Sequence, residues 1–305
     1  SLKANSTSSE SVYNNWGPSA TGWKLDLNNA EIDQNEKNYI YIAIRRPDPL
    51  VAKPPEVGTD VFAMDVGDNN STIPEWYSEF PVDFGFFKAT AANQDWYLSA
   101  RLARKMVLYP NATNDEDGYA DAVFDSNLGW GRSYSGTYGT AYQSWMWKRY
   151  AGMDVVTYGG NQLSREVRHN LNAVPEMIWS KDRTDNGDWI VYHKGLNGGT
   201  NPATKFLYLN KPDAENGWVV PWNNTEPTSV WYPVQASTMF NKTGNNYLTM
   251  LFASVAGISK VGSYTGNNSS SGPTITTGFN PRFLIIKRAN GVDNWFVFDT
   301  LRGIS

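Results

Sequence analysis

The sequence predicts an all-β fold made of tandem β-sandwich modules, and three observations support this prediction. The 305 residues include 13 Trp, 17 Tyr and 13 Phe, and aromatic residues are enriched in strands. An internal repeat recurs with a period of about 105 residues. Short alternating apolar segments are separated by Gly, Asn, Ser, Thr and Pro, as is typical of strands joined by turns.

Three recurring features define the repeat. An apolar run ends in Lys, and Trp follows eight positions later, at Lys88 and Trp96, Lys181 and Trp189, and Lys287 and Trp295. A segment with Asn, four residues and Glu occurs at 5–10, 111–116 and 210–215. An alternating strand follows that segment at 39–44, 142–147 and 247–252. This threefold agreement predicts one fold unit per repeat.

A Pro-rich insertion, with Pro47, Pro49, Pro54 and Pro55, marks a boundary between modules. Stiff, extended Pro segments are best tolerated in linkers. We therefore expect the C-terminal half of a module at 1–48, a linker at 49–58, whole modules at 59–150 and 153–256, and the N-terminal half of another at 257–305. Each half would expose a sheet edge. We expect an excerpt of a longer polypeptide that associates through its ends; closure on itself and completion by a neighbouring subunit are the alternatives.

Within one module we predict strands eight to twelve residues apart, which is the spacing of a sandwich or jelly roll. In the module at 153–256 the predicted strands are 155–158, 166–170, 177–180, 189–193, 206–209, 218–221, 230–234 and 247–252. A propeller with 50-residue blades is the structural rival. It ranks second because the two halves of a module do not resemble each other.

The recurring side chains are interpreted structurally. Trp96, Trp189 and Trp295 are expected in the core because Trp within an alternating strand normally fills the space between sheets. The repeated Lys is expected to be solvated at a strand end. The segment with Asn and Glu fits a capping box and predicts a one-turn helix.

Composition and charge exclude several functions. A net charge of −4 gives no basic surface for nucleic acid, and the longest apolar runs are too short to span a membrane. With no Cys, the chain cannot use a thiolate nucleophile or a thiolate metal site, and with only two His it has few imidazoles for catalysis or metal binding. The acidic cluster at 115–117 is not repeated in the other copies, so we expect no metal and no cofactor.

Several segments resemble a known family: 38–44, 258–267, 277–288 and 295–299. They look like the repeated module of large structural proteins of marine tailed bacteriophages, a family with concanavalin-like, lectin-like sandwiches in tail or fibre proteins. The resemblance covers nearly the whole chain, is strongest at 247–305, and identifies no catalytic residue. It implies a protein of the virion, an extracellular particle, with other virion proteins and copies of itself as partners.

Two functions follow from this resemblance and from the repeats. The first is a non-enzymatic virion protein that contacts host-cell polysaccharide through aromatic residues that do not recur: Trp16, Trp76, Trp218 and Trp222. The alternative is a glycan-cleaving depolymerase, whose paired carboxylates would come from residues such as Glu75, Glu79 and Asp83. The repetition favours the first, because the copies keep apolar and turn positions while their polar residues change.

Overall fold

The computed structural model describes residues 16–19, 22–25, 58–68, 73–118, 122–132, 142–149, 152–218, 221–266 and 274–302. The chain divides into two compact units, Ser1–Lys53 and Pro54–Ser305. The described part of the first unit is an antiparallel hairpin of strands β1 (Trp16–Ser19) and β2 (Gly22–Leu25).

The described part of the second unit is built from short strands and four 3-10 helices, and none of its helices is long and apolar enough to cross a membrane. The strands are β3 (Phe62–Val66), β4 (Trp76–Tyr77), β5 (Phe84–Ala89), β6 (Tyr97–Ala100), β7 (Ala122–Val123), β8 (Gly129–Arg132), β9 (Tyr142–Trp147), β10 (Met153–Gly159), β11 (Arg165–Arg168), β12 (Met177–Asp182), β13 (Ile190–His193), β14 (Leu207–Tyr208), β15 (Trp231–Val234), β16 (Asn246–Phe252), β17 (Phe283–Ile286) and β18 (Phe296–Asp299). The 3-10 helices are Gly58–Asp60, Arg101–Ala103, Leu196–Gly199 and Pro202–Thr204.

Residues 58–149 form two antiparallel layers. The larger layer has the strand order β3-β9-β5-β6, and the smaller has the order β4-β8-β7. Phe87 from the larger layer packs with Trp76 and Trp130 from the smaller one in a common core. Gly85 makes this packing possible, because a Cβ there would lie 2.9 Å from ring carbons of Trp130. Two layers around an apolar core are the arrangement of a β-sandwich.

Residues 152–253 form a similar pair of antiparallel layers. Their larger layer has the order β10-β16-β12-β13-β14, and a second antiparallel pair joins β11 to β15. The registers correspond: Phe84 lies opposite Trp147 in one larger layer, and Met177 lies opposite Phe252 in the other. Ile178, Tyr192 and Tyr232 share the core between the two layers.

The two larger layers share a further core. It contains Phe84, Phe86 and Trp145 from the first repeat together with Trp179 and Met250 from the second. Rings meet directly across this core, with 6.4 Å between the ring centroids of Phe84 and Trp179. Each larger layer is therefore covered on both faces, which explains why consecutive residues of β5 and β16 are buried where one-sided burial would alternate.

The hairpin β17–β18 packs on the same shared core through Phe283, Ile285 and Val297. Asp299 at the end of β18 is fully buried and accepts a hydrogen bond from the Trp145 indole at 3.2 Å.

The layered antiparallel sheets confirm the all-β prediction and fit the β-sandwich class. Tandem repetition with the bounds given above stays a prediction, although each larger layer takes its strands from one predicted module.

The prediction that the recurring Trp fills the core is confirmed at Trp189, which is fully buried. Trp96 and Trp295 are half-buried and pack against the edge of the shared core.

Candidate functional site

A contact between successive repeats recurs with the same hydrogen bonds. In the first copy, which we call joint 1, residues 109–116 of one repeat meet residues 183–189 of the next. The Trp189 indole N–H donates to the Tyr109 carbonyl at 2.9 Å, and the Gly187 N–H donates to the Thr113 carbonyl at 2.7 Å. The Glu116 N–H donates to the Arg183 carbonyl at 2.9 Å. Joint 1 is therefore fixed at both ends and in the middle.

Joint 2 places residues 208–215 against residues 289–295 in the same way. The Trp295 indole N–H donates to the Tyr208 carbonyl at 2.8 Å. The Asp293 N–H donates to the Pro212 carbonyl at 2.8 Å, and the Glu215 N–H donates to the Ala289 carbonyl at 2.7 Å. All three donor–acceptor pairs occupy the repeat positions of those in joint 1.

One Asn side chain, which we call the bracket, links the Trp backbone N–H and the preceding Asp within each repeat. Asn210 accepts a hydrogen bond from the Trp189 backbone N–H at 2.9 Å and donates to the Asp188 carboxylate at 2.8 Å. In the preceding repeat, Asn111 makes the equivalent bonds to Trp96 and Asp95, at 2.9 and 2.7 Å. The bracket holds the segment after each Asn beside the Trp-containing strand of the same repeat. This fixes the direction in which the segment runs toward the next repeat.

This geometry corrects the prediction for the segment with Asn and Glu. Neither 111–116 nor 210–215 contains a helix, so the capping-box interpretation is wrong. The Asn side chain makes the bracket hydrogen bonds, and the Glu backbone N–H donates a hydrogen bond across the joint. The Glu116 carboxylate also accepts a hydrogen bond from Arg183 Nε at 2.7 Å.

The repeated Lys binds loop carbonyls. The Lys88 ammonium donates to the carbonyls of Ala92 and Gln94, at 3.2 and 2.5 Å. The Lys181 ammonium donates to the Asp182 carbonyl at 2.8 Å and to Thr113 of joint 1 at 3.3 Å. The prediction of a solvated Lys is wrong at Lys181, which is 1% exposed. Burial lowers the pKa of its ammonium to about 8.

A cavity of about 270 Å³ lies beside the joints, and equivalent residues of successive repeats line it. Phe86, Trp179 and Ile285 occupy one repeat position, and Trp96 and Trp295 occupy another. The Asn294 carboxamide also lines the cavity and has no hydrogen bond to another described residue. Aromatic faces with a few polar groups are the usual lining of a small-molecule site.

The residues predicted to bind glycan are not brought together. Trp76 is fully buried and stacks on Phe87 with 4.7 Å between ring centroids, and Trp222 is 3% exposed. Neither offers a ring face to a glycan, because both fill the cores between layers, so the prediction is wrong for these two. Trp218 is 62% exposed. Trp16 lies on β1, and its side chain is outside the described part of the chain.

The carboxylates considered for glycan cleavage have different environments. Glu75 is 6% exposed, and burial raises the pKa of its carboxyl to about 8 even though the Arg132 charge lowers it. Asp83 accepts a hydrogen bond from the Arg149 N–H at 2.9 Å and lies 3.3 Å from Arg101 Nε. Glu79 has a left-handed φ of 65° in a turn. The structure therefore places these three carboxylates in three different environments.

The two His residues and the acidic cluster have structural partners. His193 Nδ1 accepts from the Gly195 N–H at 2.9 Å, and His169 Nδ1 accepts from the Leu171 N–H at 3.2 Å. Burial lowers the pKa of His193 to about 4, so it is neutral at pH 7. In the acidic cluster, Asp117 accepts the Tyr109 hydroxyl hydrogen bond at 2.8 Å. Across the described ranges, no group of three or more potential ligands could hold a metal.

Sequence reasoning found the repeated Trp, Lys and Asn but missed how they connect. Tyr109 and Tyr208 act through their carbonyls, and a backbone acceptor leaves no trace in residue type. One signal was present: Asp directly precedes Trp96 and Trp189, and an Asn follows them 15 and 21 residues later. An Asp carboxylate beside the Trp backbone N–H and an Asn carboxamide later in the chain are the groups that form the bracket.

Comparison with family models assigns the chain to a family. The family model for a domain of unknown function, DUF7483, matches residues 66–305. No curated protein and no solved structure matches the chain. The matched range includes both joints and the cavity, and the chain belongs to the DUF7483 family.

Proposed function

We propose that the chain is a non-enzymatic structural protein of a bacteriophage virion, of the tail or fibre type, in which lectin-like modules are joined in series. The observation that carries this proposal is the recurrence of the joint. Both joints use backbone carbonyls as acceptors, which are present whatever the side chain. Modules can therefore vary their surfaces and still connect in the same way, which is what an extended particle component requires.

The resemblance to phage structural modules supports the same proposal. The segments that carry it, 277–288 and 295–299, contain Lys287 and Trp295, and Trp295 forms joint 2. One residue of the segments that resemble the phage module, Trp295, thus connects two repeats. The partners we propose are other virion proteins and further copies of this chain.

The proposal is tested on purified particles of the phage that encodes the chain. Antibodies raised against residues 1–305 should bind to the tail or its fibres. Mass spectrometry of the purified particle should detect peptides from both repeats. Purified protein incubated with host polysaccharide should release no reducing ends, whereas a depolymerase would release them. Undecorated particles that lack these peptides would contradict the virion role, and reducing-end release would contradict the non-enzymatic one.

A second candidate function, contact with host glycan, is favoured by the cavity. Half-exposed indoles at Trp96 and Trp295 offer ring faces, and the Asn294 carboxamide is available to hydroxyl groups. Sugar rings pack their C–H faces on aromatic rings and direct their hydroxyls to amides. We therefore place the proposed glycan contact at this cavity, where recurring aromatic residues meet.

Glycan contact is tested by titrating the chain with host polysaccharide oligosaccharides while following tryptophan fluorescence. Trp96→Ala should weaken binding at least tenfold because it removes one wall of the cavity. Trp218→Ala is the matched control, since that indole is exposed but does not line the cavity. Equal weakening by both substitutions, or binding by neither parent nor variant, would contradict the cavity as the site.

A further inference from the structure

The cavity beside the joints has few polar groups that a ligand can use. Apart from Phe, Trp, Leu, Ile, Val and Pro side chains, its lining consists of Asn111, Asn210, Lys211 and Asn294. The carboxamides of Asn111 and Asn210 form the brackets, and the Lys211 ammonium donates to the Asp188 carboxylate at 2.5 Å. A ligand that buries many hydroxyl groups here would leave most of them without hydrogen bonds, and each such group opposes binding.

Size and charge narrow the class of ligand further. The cavity volume of about 270 Å³ is near the lower end, ~300 Å³, of small-molecule sites, so the cavity holds one sugar ring and its substituents. Of the described lining residues, Lys211 alone carries a charge, and its salt bridge to Asp188 balances that charge. We therefore expect the ligand to be an uncharged monosaccharide unit.

One buried donor in the cavity wall lacks an acceptor. Trp179 lines the cavity and is 4% exposed, and its indole N–H is buried with no hydrogen-bond partner among the described residues. Phe86 and Ile285, at the same repeat position, carry no polar side-chain group. A buried N–H without an acceptor is costly, and such a group in a native structure requires an explanation. A ligand oxygen inside the cavity would supply the missing acceptor.

We propose that the cavity binds an acetamido sugar, a monosaccharide unit with an N-acetylamino group in place of one hydroxyl. The acetyl carbonyl accepts a hydrogen bond from the Trp179 indole N–H, and the amide N–H donates to the Asn294 carboxamide oxygen. The acetyl methyl packs against the apolar side chains of the wall. Acetamido sugars are in this way the class of glycan unit that the proposed host contact, on which this inference rests, selects.

The test compares two methyl glycosides that differ at a single carbon, methyl N-acetyl-β-glucosaminide and methyl β-glucoside. Each is titrated into the full chain by isothermal titration calorimetry. The parent should bind the acetamido sugar at least tenfold more tightly, because the acetamido group adds an apolar contact and uses the two unpartnered polar groups. Equal affinities would overturn the proposal and leave a less selective glycan contact in place.

Trp179→Phe tests the role of the unpartnered indole N–H, because it keeps an aromatic ring in the cavity wall. It should weaken binding of the acetamido sugar at least tenfold. Trp222→Phe is the matched control: the Trp222 indole N–H is also buried without a partner among the described residues, but Trp222 does not line the cavity. Circular dichroism restricts the comparison to folded variants. Equal affinity of the two variants for the acetamido sugar would overturn the proposal.

Nuclear magnetic resonance of the ¹⁵N-labelled parent tests the same hydrogen bond without a substitution. The Trp179 indole N–H resonance should shift with the acetamido sugar and stay in place with the glucoside, and the Trp222 resonance should stay in place with both. An unshifted Trp179 resonance at saturation would overturn the proposal, as would binding of neither glycoside. Binding of the acetamido sugar by a chain that does not bind host polysaccharide would contradict the proposed host contact and support this site.

Discussion

At the scale of single residues, buried charged groups lie where layers meet. Lys181 holds loop carbonyls at joint 1, Asp299 receives hydrogen bonds from Trp145 and Arg302, and Glu75 is buried near β4. A buried charge must be paired or neutralised to be tolerated. The raised pKa of Glu75 indicates neutralisation, while Asp299 keeps a lowered pKa because hydrogen bonds outweigh the cost of its burial.

The stability of the protein should depend on pH through Glu75. Its folded pKa of about 8 lies above the ordinary value of 4.5. The native state therefore holds its proton more tightly, and this stabilisation is complete below pH 4.5 and is lost as pH rises through 8. The slope contributed by one group is at most about 1.4 kcal/mol per pH unit.

Glu75→Gln should remove that slope, because the amide does not ionise. Urea unfolding at several pH values between 5 and 9 measures it, with Glu79→Gln as the control in a neighbouring exposed turn. The variant should gain stability relative to the parent as pH rises. Parallel curves for parent and Glu75→Gln would show that Glu75 is ionised throughout.

At the scale of elements, the joint is the unit that repeats. Its strength comes from hydrogen bonds across two repeats, so the substitutions that weaken it need not alter either repeat. The bracket of Asp188 and Asn210 stays within one repeat, and the Trp189 indole N–H reaches the other. Replacing this indole with a phenyl ring removes the N–H and also makes the ring smaller, so a second Trp→Phe substitution without a lost hydrogen bond is needed for comparison.

Trp189→Phe should destabilise the chain by about 1–3 kcal/mol, since the Tyr109 carbonyl loses its donor in a buried place. Trp96→Phe is the matched control, because the Trp96 indole N–H has no acceptor among the described residues. Guanidinium unfolding of the two variants and the parent gives the difference. Equal losses would mean that ring size alone, and not the hydrogen bond across the joint, sets the contribution of Trp189.

The elements themselves were largely predictable from the sequence. Predicted strands at 177–180 and 247–252 correspond to β12 and β16, because period-two alternation bounded by turn residues is a local signal. The joint was not predictable, since its acceptors are backbone carbonyls of Tyr109 and Tyr208. Burial of Trp76 was also missed: a residue that does not recur can still fill a core when the smaller layers of two repeats differ.

At the scale of the whole second unit, the shared core connects the two repeats energetically. Phe84 is fully buried and packs on Trp147 within its own layer, with ring centroids 5.1 Å apart. It also meets Trp179 and Phe252 of the other larger layer, each at 6.4 Å. A residue that contacts both layers couples their stability, so we expect residues 54–305 to unfold cooperatively.

Phe84→Ala should therefore weaken both repeats at once. The cavity left by the ring should cost about 3–5 kcal/mol, and amide hydrogen exchange should accelerate in β12 and β16 as well as in β5 and β9. Leu163→Ala, at a position 64% exposed, is the control and should leave exchange in all four strands unchanged. Faster exchange in β5 and β9 with unchanged protection in β12 and β16 would show that the repeats fold independently. Coupled loss would instead show that the shared core makes the two larger layers one mechanical unit, which is the property that the proposed tail or fibre role requires.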